Sequence, residues 1–416
     1  MGERMVVAVA AHFTPEELTI TLAGVRVAIP LLLVACLAAG WLAYGTSPPV
    51  ADWVTGLSTI TLTRRLQWIL MIAAIGPCLA LVVRVAMGLN RAWWLLGLSL
   101  VVGLLFVRFS PETMKPVRVL EGPSLLTVEE AGLATDVEFV VGVVWGDSAY
   151  AFPYRSLLRT PIVQITDFDR RLLLIHSPYA NSATALEVGR EIRAVDLEFV
   201  GSPGNSTLVY NRKYGQFIVG ITGLTDDGKT PIGVRGQVAT ERMSFADWRQ
   251  LHPKSRLMLP SKQDAAWPGV AAHPQFAPKL TESSLPAETQ IILIHTHPRA
   301  AMLMTTDFAE PVHVKAGAMP LVLWRANGRL KAFDRKIDHD LFLTFRHRMD
   351  KSRQLKLMDN QTGSTWSYAG ICTVGQLAGK RLTTVRLEEG VYWGVSREWF
   401  PDTQLIRTNG NGPEQK

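Results

Sequence analysis

Residues 138–153 read EFVVGVVWGDSAYAFP. A run of Val and aromatic residues meets Gly146-Asp147, and a second run follows to Phe152. Such residues on both sides of a Gly-Asp turn read as two paired strands. The pattern continues in PIVQITDF (161–168), RLLLIH (171–176), DLEFVG (196–201), QFIVGITG (216–223), IILIHTH (291–297), MPLVLW (319–324), RLTTVRL (381–387) and VYWGVS (391–396). These runs are too short and too closely spaced for helical crossovers, so the chain is expected to be mainly β beyond residue 138. Helices are expected only at 181–191 (NSATALEVGRE) and 244–251, with Ser244 as N-cap.

The β region repeats itself. The run Gly146 to Phe152 resembles Asn327 to Phe333, each a turn followed by a strand ending in Ala-Phe. VYNRKYGQF (209–217) aligns with LMDNQTGST (357–365), placing Gly215 on Gly363. Pro253 to Leu257 aligns with Pro401 to Leu405, and both Gly-to-Pro separations are 38 residues. Two β units packed about a shared core are expected. On this alignment the first unit holds 33 extra residues, among them IHSPYANSATAL.

AYAFP (149–153), the Asn-Ser-x-Leu-x-Tyr run at 205–210, QTGSTW (361–366) and FPDTQL (400–405) resemble the prokaryotic domain-of-unknown-function family numbered 3179. The resemblance covers roughly 138–260 and 318–406. It implies a duplicated β domain, usually outside the cytoplasm, with no settled activity. It also implies a Cys-Pro-x-Cys stretch in the first repeat. Here that stretch is Ser177-Pro178-Tyr179-Ala180, preceded by His176. A hydroxyl and a methyl supply neither soft metal ligands nor a disulfide.

The N-terminal quarter differs in kind. Residues 1–108 hold only seven of the 43 Lys and Arg and four of the 36 acids. Residues 27–45 and 66–83 carry no charge, and 92–107 is a slightly shorter apolar run. A helix crosses a bilayer with roughly 20 apolar residues, so three transmembrane helices are expected over 27–108. Trp41, Tyr44, Trp68, Trp93 and Trp94 sit near the run ends, where aromatic rings favour the headgroup region. Thr14-Pro15-Glu16-Glu17 reads as a helix start, and residues 1–26 as an N-terminal segment with an interfacial helix. Basic residues flanking the three runs divide four to five between the two sides, so charge does not orient the anchor. Cys36 and Cys78 lie in the apolar runs, leaving Cys372 alone in the β region.

Candidate chemistry is sparse. His295 and His297 end an apolar strand at i and i+2 and so face one way; with His176 or His313 they form the candidate metal ligands. The competing reading is a strand-end pair that only hydrogen-bonds. Asp338-His339-Asp340 opens an Arg-rich stretch read as a solvated or partner-facing surface. Ser364 in Thr-Gly-Ser-Thr fits turn chemistry, and Cys372 a buried thiol. Neither a phosphate-binding loop nor a nucleophile elbow is present in the sequence. A net charge of +7, with no basic stripe of interleaved aromatics, argues against a nucleic-acid partner.

The expected organisation is an N-terminal segment (1–26), three transmembrane helices (27–108), a linker (109–137), a first β repeat (138–260), an inter-repeat segment (261–317), a second β repeat (318–406) and a tail (407–416). The expected function is a non-catalytic accessory or scaffold subunit in the inner membrane of a bacterium, with its large domain in the periplasm and no cofactor. Its partners are the lipid bilayer and other membrane subunits of a larger complex, of respiratory or photosynthetic type. The alternative is a periplasmic metal- or ligand-binding domain, enzymatic or not, using His295, His297 and His176.

Overall fold

The computed structural model describes residues 15–45, 57–88, 95–109, 117, 119–131, 139–259, 285–296, 299–304, 310–326, 329–338, 341–349, 355–401 and 405–406. The chain divides into two compact units, Met1–Arg118 and Val119–Lys416.

In the first unit, α1 (Pro15–Tyr44) begins at the proline the sequence marks as a first helical position. It runs on through Pro30, and α3 (Gln67–Ala86) runs through Pro77. A short α2 (Leu57–Arg65) precedes α3, and α4 (Leu95–Phe109) follows. Val25–Tyr44 and Gln67–Ala86 are long and apolar enough to cross a membrane, whereas Gly97–Arg108 is a shorter apolar helix. The third expected span is therefore a helix of 15 described residues. At 1.5 Å per residue it reaches about 22 Å, short of the roughly 30 Å hydrocarbon core.

Small residues hold this unit together. Ala35, Ala38 and Ala39 of α1 are buried with Ala74 of α3 and Val101 of α4. A Cβ on Gly97 would meet Leu32 Cδ1 at 2.9 Å, so the missing side chain lets α4 approach α1. Small residues thus bring α1, α3 and α4 together within the chain. Trp41 Nε1 donates to Thr63 Oγ1 (2.8 Å), and Arg64 and Arg108 both donate to Gln67 Oε1 (2.8 and 3.4 Å). The outward faces carry Leu37, Trp68, Ile72 and Leu79.

The second unit is mainly β. It opens with β1 (Val119–Glu121), β2 (Leu125–Thr127) and the single turn α5 (Val128–Ala131). These lie in the stretch expected to be a linker. They are held there because β1 adds in parallel to residues 162–164 and β2 pairs with residues 256–258. The hairpin of β3 (Phe139–Trp145) and β4 (Ser148–Pro153) turns at Gly146, whose φ is +61°. After α6 (Tyr154–Arg159) come β5 (Ile162–Asp167), β6 (Arg170–Ser177) and β7 (Ser182–Val188). Next are β8 (Leu197–Gly201), β9 (Leu208–Asn211), β10 (Gln216–Val219), β11 (Val234–Val238) and β12 (Thr240–Ser244). Helix α7 (Phe245–Leu251) then leads to β13 (Arg256–Met258). Ser244 caps α7 as expected, its Oγ accepting Asp247 N–H at 3.1 Å.

The helix expected at 181–191 is instead strand β7. Ala, Leu and Glu there favour a helix in isolation, but pairing with β6 on one side and β11 on the other overrides that preference.

The later part contains β14 (Gln290–Thr296), β15 (Arg299–Met304), β16 (Val312–Ala316), β17 (Met319–Ala326) and β18 (Arg329–Asp334). A small hairpin, β19 (Lys336–Asp338) with β20 (Leu341–Phe342), follows. Then come β21 (Phe345–Met349), β22 (Leu355–Asp359), β23 (Thr365–Trp366), β24 (Cys372–Val374), β25 (Thr384–Val385) and β26 (Leu387–Tyr392). Helix α8 (Trp393–Trp399) and β27 (Leu405–Ile406) close the described chain. The VYWGVS run, expected as a strand, leaves the sheet at Tyr392 and turns into α8.

Strand order repeats between the parts. One sheet contains β12-β3-β4-β13, and another is ordered β26-β14-β15-β27. The series β5-β6-β7-β11 matches β16-β17-β18-β25, and β8-β9-β10 matches β21-β22-β23. In both parts the first sheet is completed by a strand, a seven-residue helix and a strand added in parallel. By this order hairpin β3–β4 corresponds to β14–β15, which lies within the stretch 261–317 expected to separate the repeats. Gly215 and Gly363, aligned from sequence, are both left-handed, with φ of +64° and +67°.

Candidate functional site

A buried polar cluster lies where β26 and β14 meet β7. Glu388 stands directly opposite Leu293 in the antiparallel β14–β26 pair, so His295, two residues on, rises from the same face. Arg386, two residues before Glu388, is aligned with both. His295 Nε2 lies 2.8 Å from Glu388 Oε1, and Arg386 Nη2 donates to that same oxygen. The other oxygen, Oε2, accepts Ser182 Oγ–H and the Ala183 N–H, the latter at 3.3 Å. Arg386 further donates to Thr184 Oγ1 (2.8 Å) and Gln237 Oε1 (2.5 Å).

The charge state follows from this geometry. Burial alone would raise the Glu388 carboxyl, but Arg386, His295 and Ser182 outweigh it and hold it at about 2. The carboxylate is ionised and can only accept, so His295 carries its proton on Nε2. Burial first, then the Arg386 charge, lowers His295 despite Glu388. The imidazole is neutral, and Arg386 is the counter-ion. Four donors occupy the four lone-pair sites a carboxylate offers.

A second set of contacts surrounds the turn after β6. Asn181 adopts φ of +51° and its Nδ2 donates to the Gly390 carbonyl at 2.8 Å. Arg242 of β12 donates to the carbonyls of Asn181 and Glu389. Gly390 is required here: its φ is +71°, and a Cβ would lie 2.2 Å from Arg242 Nη2. Glu389 pairs with Arg325, and Glu241 of β12 with Arg329, the first residue of β18. The cross-links are reciprocal, since Glu388 of β26 reaches Ser182, the first residue of β7.

His176, next to the last residue of β6, is buried edge-on to Tyr154 at 5.2 Å between centroids. Its Nδ1 faces the Leu157 carbonyl at 3.4 Å, and Nε2 has no hydrogen-bond partner. Burial pushes this imidazole down to about 3. Ser177 and Ala180 are buried as well, and Ser177 Oγ accepts the Thr207 N–H at 3.0 Å.

Of the candidate ligands, His295 is committed to Glu388, and His176 packs among Tyr154 and Leu157. His297 lies outside the described residues. His313 Nε2 accepts the Phe345 N–H at 2.9 Å. Among the described residues no group of three or more His, Cys, Asp or Glu is arranged to hold a metal ion. His339 and Asp340 lie outside the described residues. Ser364 sits in a turn where Asp359 Oδ1 accepts the Thr362 N–H at 2.6 Å, and Cys372 is a buried free thiol whose pKa burial raises. Sequence reading missed Glu388, Arg386, Ser182, Arg242 and the Glu241–Arg329 pair. The available signal was Arg386-Leu387-Glu388, two opposite charges at i and i+2 whose side chains share one face of an extended run.

The model of a family described as a protein of unknown function (DUF3179) matches residues 119–403, a span that takes in β14, β15 and β16. No curated protein and no solved structure matches the chain.

Proposed function

We propose, starting from the fact that the chain belongs to the DUF3179 family of proteins of unknown function, that it is a non-catalytic, membrane-anchored accessory or scaffold subunit of a larger membrane complex. The observation that carries this reading is the saturated Glu388 carboxylate. Its four acceptor sites are filled by His295, Arg386, Ser182 and Ala183, so the groups best suited to chemistry are consumed in joining β26 to β7. In this reading the two parts of the β unit are repeats, a view supported by their common strand order, and the buried polar seam keeps them in register. The two long apolar helices, with the shorter α4, serve as the anchor. This reading puts the β unit in the periplasm; what supports it is the family resemblance, which implies a location outside the cytoplasm.

The alternative, a histidine metal site, is tested by replacing His295 with Gln in the full-length protein. A scaffold retains its partners and loses about 1–2 kcal/mol of stability, because one buried hydrogen bond is weakened. A metal protein instead shows near-stoichiometric transition metal by elemental analysis of the wild type, and the variant loses it.

A further inference from the structure

Charge is concentrated in one lobe. Residues 341–385 contain seven Lys and Arg and two Asp, a net +5 beside the chain's formal +7. Asp359 is fully buried, accepting Trp366 Nε1–H at 2.9 Å, so it adds nothing to the surface. The sheet β21-β22-β23-β24 forms the body of this lobe. Its inner face buries Phe345, Leu357, Trp366 and Cys372. Side chains alternate along a strand, so Arg346 and Arg348 of β21 and Lys356 of β22 share the opposite face. Both arginines are exposed and Lys356 is half-buried.

The register brings cations together on this face. Arg346 stands opposite Met358, but Arg348 stands directly opposite Lys356. Like charges across an antiparallel pair destabilise a sheet. Arg348 Nη1 turns aside to the Met358 sulfur at 3.4 Å. Lys380 and Arg381, beyond β24, are exposed too, and Met349 and Val374 are 69% and 65% exposed on the two outer strands.

We infer that the outer face of the β21–β24 sheet docks an acidic protein surface. The inference rests on the scaffold reading and names the partner's chemistry. Cations fixed on a rigid sheet at strand spacing match carboxylates fixed on another protein. Exposed Val374, which stands in register with Thr365, Met358 and Arg346, adds an apolar contact of the kind protein interfaces use.

The test uses the full chain in native membranes. A water-soluble carbodiimide joins a lysine amine to a touching carboxylate as an amide with no spacer. The expected product links Lys356 or Lys380 to an Asp or Glu of a different protein, identified by mass spectrometry of the joined peptides. In the R346E/R348E variant its yield falls at least tenfold. That variant removes the like-charge pair, so its melting point should not fall, and misfolding would show as a lowered one. A second arm measures co-sedimentation of wild type and variant with phosphatidylglycerol vesicles and with duplex DNA; equal behaviour within twofold is expected. Absence of the cross-link, a cross-link unchanged in the variant, or a tenfold loss confined to vesicles or DNA overturns the inference. If the wild type still migrates in a larger assembly without this cross-link, the basic lobe fails as the dock while the scaffold reading stands.

Discussion

The Glu388 carboxylate of β26 accepts the Ser182 hydroxyl of β7 across 206 residues of sequence, and both groups are buried. This contact, with His295 and Arg386 behind it, ties the last long strand of the β unit to its first half. An ion pair so placed adds little over an apolar pair of equal size, but breaking it leaves an uncompensated charge.

Glu388→Gln tests this directly. The amide keeps the volume, yet it strands the Arg386 guanidinium, whose Nε already has no hydrogen-bond partner. We expect a loss of about 3–5 kcal/mol in chemical denaturation. A loss below about 1 kcal/mol would mean that the seam carries no structural load.

Acid should destabilise the β unit in two stages. His176 titrates at about 3 in the fold instead of 6.5, so the unfolded chain takes up the proton first as pH falls. Its contribution is complete above 6.5 and is lost progressively down to about 3, amounting to about 3 kcal/mol by pH 4.5. His313, lowered to about 4 mainly by burial, acts in the same direction. Glu388, held at about 2 instead of 4.5, adds a second loss below pH 4.5. Denaturation midpoints at pH 7.5, 5.5 and 4.5 check this, and His176→Phe should flatten the first stage. Equal stability at pH 7.5 and 4.5 would contradict the assignment.

Much of the β architecture is legible in the sequence because its turns need particular residues. Gly146, Gly215 and Gly363 are left-handed where the pattern places turns, and Ser244 caps its helix. The pairing of 146–152 with 327–333 joins two local hairpins, β3–β4 and β17–β18, whereas strand order sets β3–β4 beside β14–β15. The polar seam is harder to read for another reason. Glu388 and Ser182 meet only through long-range pairing, and neither belongs to a local motif. His295 was visible at a strand end, but its partner 93 residues away was not.

Residues 119–416 should fold without the helices. They form a compact unit with several buried apolar clusters of their own. Expressed alone, this fragment should be soluble and give a β-type circular dichroism spectrum with a cooperative melt. A random-coil spectrum would show that the anchor is needed for folding.

The most direct measurement is extraction of the tagged full-length chain in mild detergent, followed by native mass spectrometry and identification of whatever travels with it. The account predicts a particle heavier than the chain alone, containing at least one other membrane protein in fixed ratio, with composition unchanged by His295→Gln. A chain that migrates alone, binds a transition metal near one equivalent and loses it in that variant would contradict the account.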